Sequence, residues 1–141
     1  MGRQINRNSG RSGKGTQAEE EVCPILYSSI GGATFSLHGE ARRLKDRING
    51  HQGLKDWCNG ILGDLRVVVK ILPKSSPDLM GRSKEVTRET EGNKLKCWIE
   101  IFDHGAEANW DTFLHEMGHV MQMMTHSPLD EVEADNAFPR V

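Results

Sequence analysis

No stretch of this chain is apolar enough, for long enough, to cross a bilayer; the run of about 18–20 residues that a spanning helix needs never develops. The first residues contain no apolar h-region, so no secretory signal is read and a cytoplasmic protein is expected. Aromatic side chains make up only 6% of 141 residues, and hydrophobic ones 36%. That limits the chain to one domain with a lean core. Cysteine is also scarce. Cys23, Cys58 and Cys97 are odd in number and form no C-x-x-C pair, which excludes a disulfide framework and suits free thiols in a reducing compartment. Neither charge sign dominates: the net charge is −2, which argues against non-specific nucleic-acid binding by the domain as a whole.

What is present divides at about residue 20. Residues 1–20 begin with Arg3, Arg7, Arg11 and Lys14, without acidic residues before Glu19 and with almost nothing apolar. They read as a disordered basic tail, more a solubilising segment than a nucleic-acid contact. Gly13-Lys14-Gly15-Thr16 fails as a P-loop, because the hydroxyl residue does not follow the lysine directly and no apolar strand precedes it. Residues 21–141 read as the folded domain.

Within that domain, Cys23 to Tyr27 is a possible edge strand, and Gly31-Gly32 interrupts the stretch running on to Phe35. Glu40 to Ile48 carries Ala41, Leu44 and Ile48 on one helical stripe. A second helix comes next, with Leu54, Trp57, Cys58, Ile61 and Leu62 on its apolar face and Gly63 as its stop. Leu65 to Leu72 is a β-branched run that predicts a buried strand. Pro73 to Arg82 reads as a loop, and Lys84 to Thr90 as a weaker strand. Glu91-Gly92-Asn93 is a hairpin turn, and Lys94 to Phe102 alternates, with Leu95, Cys97, Ile99 and Ile101 on one side. Helices, then strands, then a long C-terminal helix make an α+β fold with a small mixed sheet.

The chemistry is concentrated between Asn109 and Asp135. His115-Glu116-Met117-Gly118-His119 is an H-E-x-x-H. Phe113, Met117, Val120 and Met124 recur at steps of three and four, so the segment is helical and the two histidines lie one above the other on one face. Their ring nitrogens can converge on one metal ion, while Glu116, one residue round, is placed to act on a metal-bound water as general base. Asn109 is the expected N-cap. Downstream, Ser127-Pro128 with Asp130 predicts a new helix start, and that helix runs until Pro139. Pairing His119 with Glu131 and His115 with Asp135 implies one common turn near Thr125. Glu131 is then the third ligand, Asp135 accepts the second N–H of His115, and small Ala134 lets the helices approach. Asp135 as the ligand in place of Glu131 is the other option. A metzincin pattern is excluded, since Gln122 and Thr125 stand where it needs Gly and His.

The wording "LHEMGHVMQ … DEVEADNAF" resembles the gluzincin branch of zinc metallopeptidases, and most of all the ImmA/IrrE-type family common in phages and mobile elements. The resemblance covers roughly the last third of the chain. It implies a minimal zincin-like domain, Zn2+ held by His115, His119 and Glu131, Asp135 as histidine partner, catalytic Glu116, and a peptide or protein substrate. In such folds a strand bordering the cleft pairs with the substrate backbone; the hairpin strand entering the metal helix is the expected one here. A second oxyanion donor is usual, and His104 and His126 are the candidates. The competing readings are a non-catalytic zinc-stabilised binding module, which needs a fourth protein ligand but no base, and a nucleic-acid-associated protein acting through its basic tail.

Overall fold

A computed structural model describes residues 24–74, 79–89 and 94–140. The basic tail, Cys23 and the expected turn at residues 91–93 lie outside the described residues. The sheet has five strands: β1 (Ile25–Ile30), β2 (Ala33–His38), β3 (Asp64–Leu72), β4 (Gly81–Glu89) and β5 (Lys94–Phe102). Their spatial order is β1-β2-β3-β5-β4. β1 pairs antiparallel with β2, and β4 with β5, while β2/β3 and β3/β5 are parallel. The result is a mixed sheet with two antiparallel edges, and the fold is α+β.

Alternation decides which face of the sheet becomes the core. Phe35, Val67 and Cys97 stand in register across β2, β3 and β5, and so do Leu37, Val69 and Ile99; all six are fully buried. One layer of helices covers this face. A 3-10 segment (Gly39–Leu44), α1 (Lys45–Gly50) and α2 (Gln52–Asn59) form the crossover between β2 and β3 and contribute Leu44, Ile48, Leu54 and Cys58 to the core. The long α3 (Ala106–Met124) contributes Trp110, Phe113, Met117 and Val120. Trp110 and Phe113 stack with ring centroids 5.6 Å apart and planes 13° apart. Cys58 and Cys97 are buried in this core, and burial pushes the Cys58 thiol up to about 12.

The structure corrects several expectations. The helix read over Glu40–Ile48 is a 3-10 segment followed by one short α-helix, although Ala41, Leu44 and Ile48 do form its buried stripe. The next helix ends at Asn59, not beyond Leu62. Gly60 and Ile61 close it with N–H bonds to Trp57 and Cys58 carbonyls, and Leu62 stands 99% exposed. The sequence reading missed β2. The β1–β2 turn uses Gly31 at φ 54, where a Cβ would lie 2.4 Å from the Cys58 carbonyl oxygen; only glycine fits there. β1 is an edge strand, as expected. At the opposite edge stands β4, whereas β5, expected to border the cleft, is enclosed between β3 and β4. The inward face of β5 is wholly apolar and buried, while β4 is short of apolar residues, and a polar strand is the one that tolerates an edge.

Candidate metal centre

α3 begins at Ala106 with Gly105 as N-cap, ahead of the cap expected at Asn109. Asn109 still serves the helix start: its side-chain oxygen accepts from the His104 backbone N–H, and its amide donates to Asp103 Oδ1, both at 3.0 Å. Asp103 also accepts from Gly105 N–H, and these two bonds hold its carboxyl below the ordinary value. After Met124 the chain reverses at His126, which takes φ 61. α4 (Glu131–Ala137) then runs back along α3. Its N-cap is Asp130, which accepts from Glu133 N–H at 2.8 Å, and not Ser127 as expected. Ala134 packs directly on Gly118, where a Cβ would come within 2.3 Å of the Ala134 carbonyl oxygen. The glycine inside H-E-x-x-H therefore sets how close the second helix lies.

This docking brings the expected residues together. His115 and His119 are one turn apart, with ring centroids separated by 4.8 Å. His115 Nε2 is 3.0 Å from Glu131 Oε1, and His119 Nε2 is 2.9 Å from Glu131 Oε2. One ligand atom from each of the three residues can be chosen so that all lie within 4.8 Å of one another. Asp135 Oδ1 meets the other nitrogen of His115, Nδ1, at 2.7 Å. Asp135 thus orients a histidine from behind, and the Nε2 side is left to Glu131.

Gln122, which the sequence reading passed over, does the same for His119. Its amide nitrogen donates to the Asp130 carbonyl at 3.0 Å and to Glu133 Oε1 at 2.9 Å. Its oxygen is thereby fixed as the acceptor facing His119 Nδ1 at 2.9 Å. The residue is only 1% exposed and ties His119 to the start of the helix that bears Glu131. The available signal was a glutamine inside the apolar stripe between Val120 and Met124, one turn after His119.

Each histidine has an oxygen on both ring nitrogens, and a neutral imidazole has one N–H. With that N–H on Nδ1, facing Asp135 or Gln122, Nε2 is a metal donor, and both Nε2 atoms converge on the Glu131 carboxylate. Tetrahedral zinc with ligands at about 2.0–2.1 Å places donor atoms roughly 3.3–3.4 Å apart. The two histidine–carboxylate separations, each to a different Glu131 oxygen, are a few tenths of an ångström shorter, and one donor atom from each of the three residues lies within 4.8 Å of the others. The donor set therefore fits a divalent cation with nitrogen and oxygen ligands.

Glu116 lines, together with part of this cluster, a cleft of about 450 Å³. Its walls include Met80 and Gly81 at the start of β4, Thr112, His115, Glu131 and Asp135. Glu116 is 6% exposed. Burial raises its carboxyl above the ordinary value, opposed by a hydrogen bond from the Ser83 side chain of β4 and by the two histidines. His115 is also held above its ordinary value. Burial disfavours its charged form, but the hydrogen bonds to Asp135 and Glu131 outweigh that. Neither His104 nor His126 is among the residues lining the cleft; His104 Nδ1 instead meets the Phe102 carbonyl at 2.7 Å. Comparisons with family models, with curated proteins and with solved structures find no match for this chain.

Proposed function

We propose that this chain is a zinc-dependent peptidase of minimal zincin-like architecture, with His115, His119 and Glu131 as ligands and Glu116 as general base. The observation that carries the reading is the convergence of two Nε2 atoms on one carboxylate, each histidine anchored from behind by Asp135 or Gln122. A bound zinc supplies a Lewis acid and brings the pKa of a water towards ~7. The chain's own groups perform the rest. Glu116, dry and steadied by Ser83, takes a proton from the attacking water and returns it to the leaving amine. β4, the edge strand with Gly81 at the cleft wall, offers main-chain hydrogen bonds to an extended peptide.

The non-catalytic, zinc-stabilised alternative needs a fourth protein ligand. Among the described residues the cluster stops at three, and a buried carboxylate beside it has no use in a purely structural site. The deciding experiment pairs zinc content with turnover on an unfolded protein substrate. Glu116→Gln retains one zinc per chain and loses cleavage. Glu131→Ala loses zinc far more readily than Glu133→Ala. Turnover that survives Glu116→Gln removes Glu116 from the mechanism, absence of turnover in the zinc-loaded wild type removes the peptidase reading, and stronger zinc loss in Glu133→Ala removes the ligand assignment.

A further inference from the structure

The sheet face turned away from the helices is chemically unlike the rest of the chain. Its rows can be read from the registers. Arg66 stands opposite Lys96; Val68, Trp98 and Lys84 share the next row; Lys70, Glu100 and Arg82 share the third. Five cations surround one half-buried tryptophan on a chain whose net charge is −2. Glu100 is held by Arg82 at 2.6 Å, and Arg66 by Asp64 at 3.3 Å. The ammonium groups of Lys70 and Lys84 lie 5.4 and 5.0 Å from the Trp98 ring centroid. Ion pairs and cation–π contacts account for part of this pattern, but like charges directly opposite, as at Arg66 and Lys96, are unfavourable in a sheet. Beside Trp98 a groove of about 360 Å³ opens, walled by Arg82, Lys84 and Glu100.

We propose that this face, centred on Trp98, binds single-stranded nucleic acid. A flat sheet offering one stackable ring within a field of lysine and arginine matches a polymer that alternates π-faces with phosphates. Charge complementarity selects the occupant. An acidic polypeptide satisfies the lysines but leaves the ring unused. Chain-wide net charge hides the patch because the acidic residues gather elsewhere, notably on the short helix α4 (Glu131, Glu133, Asp135). The proposal is independent of the peptidase reading, since the face lies across the sheet from the histidines.

The test is fluorescence anisotropy of the full chain with a labelled oligothymidylate across a salt series. Wild-type binding weakens with salt, and Trp98→Ala weakens it about 5-fold or more, as loss of one base stack does. Trp98→Phe keeps most of it. Lys70→Gln and Lys84→Gln each flatten the log–log salt slope by about 0.7; both side chains are at the surface, so they decide the matter if Trp98→Ala disturbs the fold. The proposal is overturned if these variants bind like wild type. It is equally overturned if binding disappears only when Arg3, Arg7, Arg11 and Lys14 are changed to Gln, or if polyglutamate or anionic vesicles compete as well as unlabelled oligonucleotide.

Discussion

Gly118→Ala tests the metal centre without touching a ligand. The new Cβ would stand 2.3 Å from the Ala134 carbonyl oxygen and 2.7 Å from its Cα, against an ordinary C···O contact of about 3.3 Å. α4 must therefore retreat by about 1 Å, and Glu131, three residues earlier on the same short helix, retreats with it. Metal ligands tolerate about 0.2 Å. Displacing one ligand five times that far should cost zinc affinity at least the 10–100-fold that loss of an outer partner typically costs. Stability should change much less. Overpacking at a helix contact costs about 1–3 kcal/mol, and replacing a mid-helix glycine by alanine returns up to ~1 kcal/mol, leaving a net loss of about 0–2 kcal/mol. The assay is chelator competition for zinc, run beside thermal unfolding of the metal-free protein. Gly50→Ala is the control, because a Cβ there meets nothing within 4 Å. If Gly118→Ala folds and binds zinc like wild type, α4 does not carry the third ligand.

The same geometry sets three other outcomes. Zinc should raise the melting temperature more at pH 8 than at pH 5.5. His115 is held above its ordinary 6.5, so in the metal-free protein its stabilising contribution is complete below pH 6.5 and fades as pH rises through the folded value, while proton competition for the zinc-binding lone pair fades over the same range; a zinc-induced shift that shrinks with pH would contradict this. Gln122→Met, similar in volume, should leave His119 Nδ1 without its acceptor and lower zinc affinity about 10–100-fold, measured by the same competition assay; unchanged affinity would reduce Gln122 to a packing residue. Cys58, with its thiol pushed up to about 12 by burial, should stay unmodified by a thiol reagent in native protein at pH 8 and react on unfolding, read by mass spectrometry after protease digestion.

Much of the site could be read from the sequence because helix geometry is local. Four-residue spacing alone stacks His115 over His119, and the Thr125–Ser127 turn chemistry together with matched offsets places Glu131 and Asp135 against them. The same logic failed wherever a tertiary contact overrode the local signal. Ser127-Pro128 is a sound helix start in isolation, yet the helix begins at Asp130, because Gln122 binds both the backbone N–H and the carbonyl of that residue. Leu62 continues an amphipathic stripe, yet the chain must leave its helix at Asn59 to enter β3.

Strand order was the least legible feature, because register with a distant strand leaves no local mark. β2 was hidden by its own glycine turn, and the choice between β4 and β5 as cleft edge depends on which of them β3 pairs with. That choice matters for function. With β5 enclosed, the free backbone beside the histidines belongs to β4, which also carries Ser83 to Glu116. On the proposed function, the substrate-facing main chain and the hydrogen bond on the base would both come from one edge strand, close enough to α3 that a Cβ on Gly81 would lie 2.5 Å from the Thr112 side chain. A bulkier residue at 81 would push the strand from the helix and disturb both at once, whereas the ligand triad, built entirely from α3 and α4, would keep its shape. On the proposed function, metal binding and catalysis are therefore separable: the first would belong to the helical hairpin, the second to the gap between that hairpin and the sheet edge.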